Sequence, residues 1–234
     1  MAAENLSVEA DGLVAPEVGS WAETKYRLLA LYDELFSMGM KHKWDQRVYI
    51  DLHAGAGYSR VRGTRKFLKS SPILALTVTE PFDNYVFCED GSDLMEALKV
   101  RVARAAPQAQ VAYVPGRCDT ELESICKEIP RGSSSNKVLS LCVVDPFDFG
   151  LRFETLKKLS VFYIDLVALL AIGMDLNRNY DHYVAEALPH LQESFDLEVQ
   201  GLRSQIVRNT PESCCKKNIM RSPGSSSQVA LDHW

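Results

Sequence analysis

Five stretches of this chain place acidic, glycine, amide or aromatic residues directly after an apolar run, where a chain leaving a strand can meet a ligand. The first is Asp51-Leu-His-Ala-Gly-Ala-Gly57. Glycines let the backbone pass close to a ligand because no Cβ stands in the way, and Asp51 is placed to take an ammonium, directly or through water. The alternative is a simple tight turn. A dinucleotide fingerprint needs a third Gly where Arg60 stands, and a phosphate-binding loop needs Gly-Lys-Ser/Thr, so neither ligand is favoured. The second stretch is Glu89-Asp90, whose carboxylates can accept two ribose hydroxyls; either can instead cap the helix expected from Ser92. Glu89, nearer the strand, is the better ribose candidate. In the third, Gly116-Arg-Cys-Asp119, Asp119 suits an adenine edge or the N-cap of the following helix. Arg117 could lower the thiol pKa of Cys118 and make it a nucleophile, although plain packing ranks above that.

The fourth stretch, Asp145-Pro-Phe-Asp-Phe149, offers a carboxylate, a rigid Pro and a ring. Asp145 would accept an N–H from a planar amine while Phe147 stacks on its face; a Pro turn packing Phe147 and Phe149 into the core is the alternative. In the fifth, Gly173-Met-Asp-Leu-Asn-Arg-Asn179, the groups Asn177, Arg178 and Asn179 crowd a strand exit and suit substrate, or form an Asn-rich turn. The segment Tyr58 to Ser70 adds Arg60, Arg62, Arg65, Lys66 and Lys69. Such a basic loop (60–69) can bind the phosphates of a nucleic acid, with Arg62 and Arg65 as contacts, or can be a solvated loop. None of these groups is read as a metal site.

Positioning these groups requires alternating elements. Strands are expected at 47–52, 85–88, 110–114, 138–144 and 163–171. Helices are expected from Ser20 to about Gly39, at 71–79, 92–106, 120–129, 153–160 and 180 to about 199. Ser20-Trp-Ala-Glu23 reads as a capping box, and Trp21, Leu28, Tyr32, Leu35 and Phe36 recur at helical spacing. Val138–Val144 is apolar apart from Ser140, as a central parallel strand should be. The alternation predicts an α/β fold: a Rossmann-like three-layer sandwich with a parallel sheet and a ligand beyond the strands' carboxyl ends. Five strands are few for such a sheet, which is expected to be incomplete at the C-terminus. The domain is expected over 21–210, between an acidic disordered tail (1–20) and a Ser-rich disordered one (211–234).

Composition narrows the function classes. With 234 residues, 46% of them hydrophobic, the chain can bury one core. A formal net charge of -5 argues against a general polyanion binder, so nucleic acid would need a local basic patch. Six cysteines without a Cys-x-x-Cys pair suggest a reduced, cytoplasmic protein. The N-terminus lacks the basic and apolar regions of a signal peptide, and the apolar run 161–174 is too short to span a membrane.

Several of these pieces together resemble the three-Cys-motif partner (TcmP) family. They are Trp21-Ala-Glu-Thr-Lys25, Tyr49-Ile-Asp-Leu-His-Ala-Gly-Ala-Gly57, Ser71-Pro-Ile-Leu-Ala75, Tyr85-Val-Phe-Cys-Glu89, Val144-Asp-Pro-Phe147 and Met174-Asp-Leu-Asn-Arg-Asn179. Asp145-Pro-Phe147 also resembles the Asp-Pro-Pro-Tyr motif of amino-methyltransferases acting on nucleobases, with Phe147 where the second Pro would stand. The chain departs from the family pattern at Arg117 and Asp119, where members tend to carry Asp and Asn, and in a shorter C-terminal region. The resemblance implies a class I methyltransferase-like fold and a three-Cys-motif, radical-SAM-like protein as a partner. The resulting expectation is an S-adenosylmethionine-dependent methyltransferase. Asp51, His53, Gly55 and Gly57 would hold the methionine end of the cofactor, Glu89 the ribose and Asp119 the adenine. Asp145 and Phe147 would orient an amine of a nucleobase or other polyanionic substrate. The rival expectations are a non-catalytic interaction protein and a nucleic-acid-binding module using the basic loop.

Overall fold

From residue 46 onward apolar runs become strands and amphipathic runs become helices in alternation. The computed structural model describes residues 6–146 and 152–169, all within one unit, Met1–Asp196. In chain order they form β1 (Ser7–Val8), β2 (Glu17–Val18), α1 (Ala22–Met40), β3 (Gln46–Asp51), β4 (Tyr58–Val61), β5 (Phe67–Lys69) and α2 (Ser71–Leu76). These are followed by β6 (Asn84–Glu89), α3 (Ser92–Ala105), β7 (Val111–Pro115), α4 (Leu122–Glu128), β8 (Val138–Val144), α5 (Phe153–Leu159) and β9 (Ile164–Ala168).

The main sheet has five parallel strands in the order β7-β6-β3-β8-β9. Its third, second, first, fourth and fifth strands by sequence therefore lie side by side, a Rossmann-like arrangement. Because strand residues alternate between faces, β3 sends Tyr49 to one side and Val48 and Ile50 to the other. Tyr49, Phe87, Leu141 and Val143 pack against Leu29 and Phe36 of α1, Ile73 of α2 and Leu98 of α3. On the opposite face Val48, Ile50, Cys142 and Val144 pack against Leu122 and Ile125 of α4 and Leu159 of α5. Helices thus cover both faces, and β3 is almost wholly buried, with Val48, Tyr49 and Ile50 apolar at its centre. The sequence order reverses between β3 and β8, and a crevice opens beyond the carboxyl ends of these two strands. Among the described residues no helix is long and apolar enough to cross a membrane.

Three expectations are corrected. The segment 1–20 is not a free tail from residue 6 onward. Its β1 and β2 join β4 and β5 in a second sheet of order β1-β5-β4-β2, with Leu6 and Val18 buried against Tyr26, Val61 and Leu68. The basic stretch 58–70 is likewise not an open loop but the hairpin β4–β5. No capping box forms at α1: Trp21 is the N-cap residue without a side-chain cap, and the Glu23 carboxylate lies 2.8 Å from Lys66 Nζ instead.

The buried face of α1 also differs from the expected stripe. Ala22, Tyr26, Leu29, Ala30, Asp33 and Phe36 face inward, while Trp21, Leu28, Tyr32 and Leu35 are exposed. Small Ala22 and Ala30 let this side of the helix approach its neighbours closely, so the bulkier stripe is turned out. Helix α2 stops at Leu76, short of the expected Thr79. The expected helix from 180 and the tail 211–234 lie outside the described residues.

Candidate functional site

The crevice is a cavity of about 1100 Å³. Its floor is the glycine turn after β3, lined by His53, Ala54, Gly55 and Ala56. Asp145 and Pro146 after β8 form one wall, and Val167 and Leu169 extend it at the end of β9. Trp21, Lys25 and Tyr26 of the α1 start face the turn, and Pro16 to Ser20 close the remaining side.

The turn is held from several directions. Ala54 N donates to Cys88 O at 2.9 Å, tying it to β6. Gly55 has φ +61, and a Cβ added there would meet nothing within 4 Å. The backbone at Gly55 is therefore bare toward open space, as a close approach by a ligand requires. Gly57 differs: at φ +82 its added Cβ would lie 3.1 Å from both Ile73 Cγ1 and Leu98 Cδ1. It is a close-packing glycine beneath the turn, not part of the opening.

Asp51 does not reach the cavity. It is fully buried, and its Oδ1 accepts from His53 N at 3.1 Å. Burial pushes its carboxyl up to about 7, offset in part by hydrogen bonds from Ser71 and His53. Asp51 shapes the turn from behind rather than meeting a ligand's ammonium.

Glu89 is engaged with the turn and with the start of α3, and it is not among the residues that line the cavity. Its Oε2 accepts from Gly55 N at 2.7 Å and its Oε1 from Gly91 N at 2.8 Å. The carboxylate thus spans the ends of β3 and β6, and each oxygen retains a further lone pair. Asp119 does not cap α4. Its Oδ1 accepts from Thr155 Oγ1 at 2.6 Å at the start of α5, while the N-cap residue of α4 is Glu121. A carboxylate at a helix start opposes the helix dipole, so Asp119 is engaged with α5.

Asp145 lines the cavity, ion-paired through Oδ2 with Lys25 Nζ. Lys25 also stands 4.8 Å from the centroid of Trp21 and 4.7 Å from that of Tyr26, a cation–π arrangement that helps hold a nearly buried ammonium. Beneath it Tyr26 Oη and Ser59 Oγ are 3.0 Å apart. Lys25, Tyr26, Ser59 and Ser70 also line the site, although sequence reasoning does not single them out. Only Lys25 leaves a signal, inside the Trp21–Lys25 motif, and nothing in that motif points across 120 positions to Asp145.

Three of the five cations of the basic hairpin are ion-paired. Arg60 and Arg62 pair with Glu17, and Lys66 with Glu23. Arg62 lines the cavity, whereas Arg65 is exposed and does not. Cys118 is no activated nucleophile: burial pushes its thiol up to about 12, with Sγ 3.7 Å from His53 Nε2. Phe147, Asn177, Arg178 and Asn179 lie outside the described residues. Among the described residues no group of His, Cys, Asp or Glu is arranged to hold a metal ion. Comparison with protein-family models and with curated proteins found no match to this chain.

Proposed function

We propose that this chain is an S-adenosylmethionine-dependent methyltransferase of the class I type, with an amine acceptor entering beside Asp145. One observation carries the reading: at the reversal point of a parallel sheet, bare backbone at Gly55 borders an open cavity and lies under the Glu89 carboxylate. Ligands of doubly wound sheets bind at that place. The resemblance of the motifs to the three-Cys-motif partner family points the same way.

The residues present fit such a cofactor at two positions and not at a third. Gly55 leaves room for a close approach, and Glu89 has free lone pairs for ribose hydroxyls. Asp119 is committed to α5, so the adenine would have to be held by other groups. When bound, the cofactor supplies an electrophilic methyl group. The chain's own contribution is positioning and exclusion of water. Asp145 Oδ1 is left to accept an N–H from the acceptor, while Lys25 holds Oδ2.

Calorimetric titration with S-adenosylmethionine and S-adenosylhomocysteine tests the reading. Saturable binding to the wild-type chain, abolished by Gly55→Val in a protein that keeps its circular dichroism, is the expected result. A folded wild-type chain with no affinity for either compound sinks it.

A second reading, a non-catalytic partner protein on the same scaffold, draws on one observation: Asp145 and Asp119 both already have partners within the chain. It predicts that the titration fails while capture of a three-Cys-motif, radical-SAM-like protein succeeds. The nucleic-acid reading is the least favoured, because the cations at Arg60, Arg62 and Lys66 already face Glu17 and Glu23.

A further inference from the structure

We propose that Arg101 is a positioning residue that couples the N-terminal segment to the glycine turn, making residues 11–20 a working wall of the binding site. The guanidinium, on α3, is completely buried. Nε donates to Asp11 Oδ2 at 2.8 Å and Nη2 to Asp11 Oδ1 at 2.7 Å, a forked pair. Nη2 also reaches Leu13 O at 3.3 Å, and Nη1 donates to Val14 O at 2.8 Å. The remaining contact goes elsewhere: Nη1 donates to Ala56 O at 2.7 Å, between Gly55 and Gly57. The ring of Tyr58 stacks beneath, 4.4 Å from Cζ.

A buried guanidinium needs every N–H satisfied and its charge balanced. Here the carboxylate and two of the carbonyls come from residues 11–14, and the third carbonyl comes from the turn. Asp11 is held below the usual carboxylate range, chiefly by its hydrogen bond to Arg101. A second contact from the same helix acts beside the first, because Leu98 packs where a Gly57 Cβ would stand. Helix α3 therefore fixes the turn at two adjacent points, and one of them shares its side chain with the N-terminal segment. Just beyond that clamp, Pro16 to Ser20 line the cavity opposite Gly55. Losing Asp11 would leave Arg101 charged and short of acceptors, so the guanidinium would shift away from Ala56 as the segment detached. The coupling itself stands on the geometry; only the identity of the ligand rests on the methyltransferase reading.

Hydrogen exchange read by mass spectrometry on the full chain tests the coupling, with Asp11→Asn, Asp11→Glu and Arg101→Lys beside the wild type. Asp11→Asn is expected to speed exchange about tenfold in residues 11–20 and in residues 53–57 together, with β6 and β8 unchanged. Asp11→Glu, which keeps the charge, should recover part of both. Arg101→Lys keeps the charge but loses the fork, and should loosen both segments as Asp11→Asn does. Faster exchange confined to 11–20 overturns the proposal. Should Asp11→Asn fail to fold, Val18→Asp detaches the same segment from its far end and must loosen 53–57 as well. S-adenosylhomocysteine provides the second arm. If the wild type binds it, Asp11→Asn should weaken binding about tenfold at unchanged circular dichroism, and unchanged affinity would remove the wall role. If the wild type does not bind it but the two segments still loosen together, the coupling stands and the methyltransferase reading falls.

Discussion

Two carboxyls sit in the interior without full compensation, and both make the molecule sensitive to pH. Asp33 of α1 is buried, and neither of its oxygens has a hydrogen-bond partner. Burial drives its carboxyl well above the usual range, and the charge of Asp51 adds to this. The folded state therefore holds these protons more tightly than the unfolded chain does. For Asp51 the resulting stabilisation is complete below the ordinary carboxyl value of 3.8 and is lost as pH rises to about 7. Unfolding in urea should show the wild type losing stability between mildly acidic and neutral pH. Asp33→Asn should be more stable than wild type at neutral pH, by on the order of 1–3 kcal/mol, with the gain shrinking in acid. An equal gain at every pH would show that Asp33 is not an ionising burden. The two glycines of the turn predict opposite phenotypes. Gly57→Ala meets Ile73 and Leu98 and a left-handed backbone, so it should cost roughly 2 kcal/mol or more in thermal unfolding. Gly55→Val meets no neighbour, and although its left-handed φ of +61 also costs stability, its main loss should fall on cofactor binding.

Among the elements, legibility follows how much each depends on its own residues. Strand β8 is readable to its ends, Val138–Val144, because a run buried on both faces is nearly all apolar, here with Ser140 as the one polar residue. Strands β4 and β5, four and three residues long, carry Arg60, Phe67 and Lys69 among buried positions and read as a charged loop. The two-residue strands β1 and β2 exist only because that hairpin gives them partners, so no local pattern announces them. Helix α1 is legible as a helix, but its inward face is not. Leu28 and Leu35 match the helical period as well as Tyr26 and Leu29 do, and hydropathy alone cannot choose between two apolar faces. Helix α5 shows how a cap hides in a sequence. Its N-terminus is served by Asp119, which is more than thirty positions away and reads locally as a ligand group. Asp119→Ala should therefore loosen α5 and lower stability by about 1 kcal/mol. It should leave the affinity for S-adenosylhomocysteine within a factor of about two, since no more than ~0.4 kcal/mol of binding is at stake; a large loss of affinity would return Asp119 to the cofactor site.

At the scale of the whole molecule, the carboxyl-end rim of the main sheet is legible from the alternation of elements, and with it the places of Gly55, Glu89 and Asp145; the strand order that makes it a reversal point is not. The other half of the crevice is not, because Pro16–Ser20, Lys25, Tyr26 and Ser59 come to it from the second sheet and α1, through tertiary contacts with no local signature. Lys25 and Asp145 meet only after α1 and β8, with most of the described fold between them, have docked. Pairings between such distant positions form late when a chain collapses, since the long loop must close before the contact rewards it. In a stopped-flow experiment from denaturant, helix signal should therefore return before the indole of Trp21, which packs beside Lys25, regains its native emission. Ligand added during that interval would find no receptor to grip.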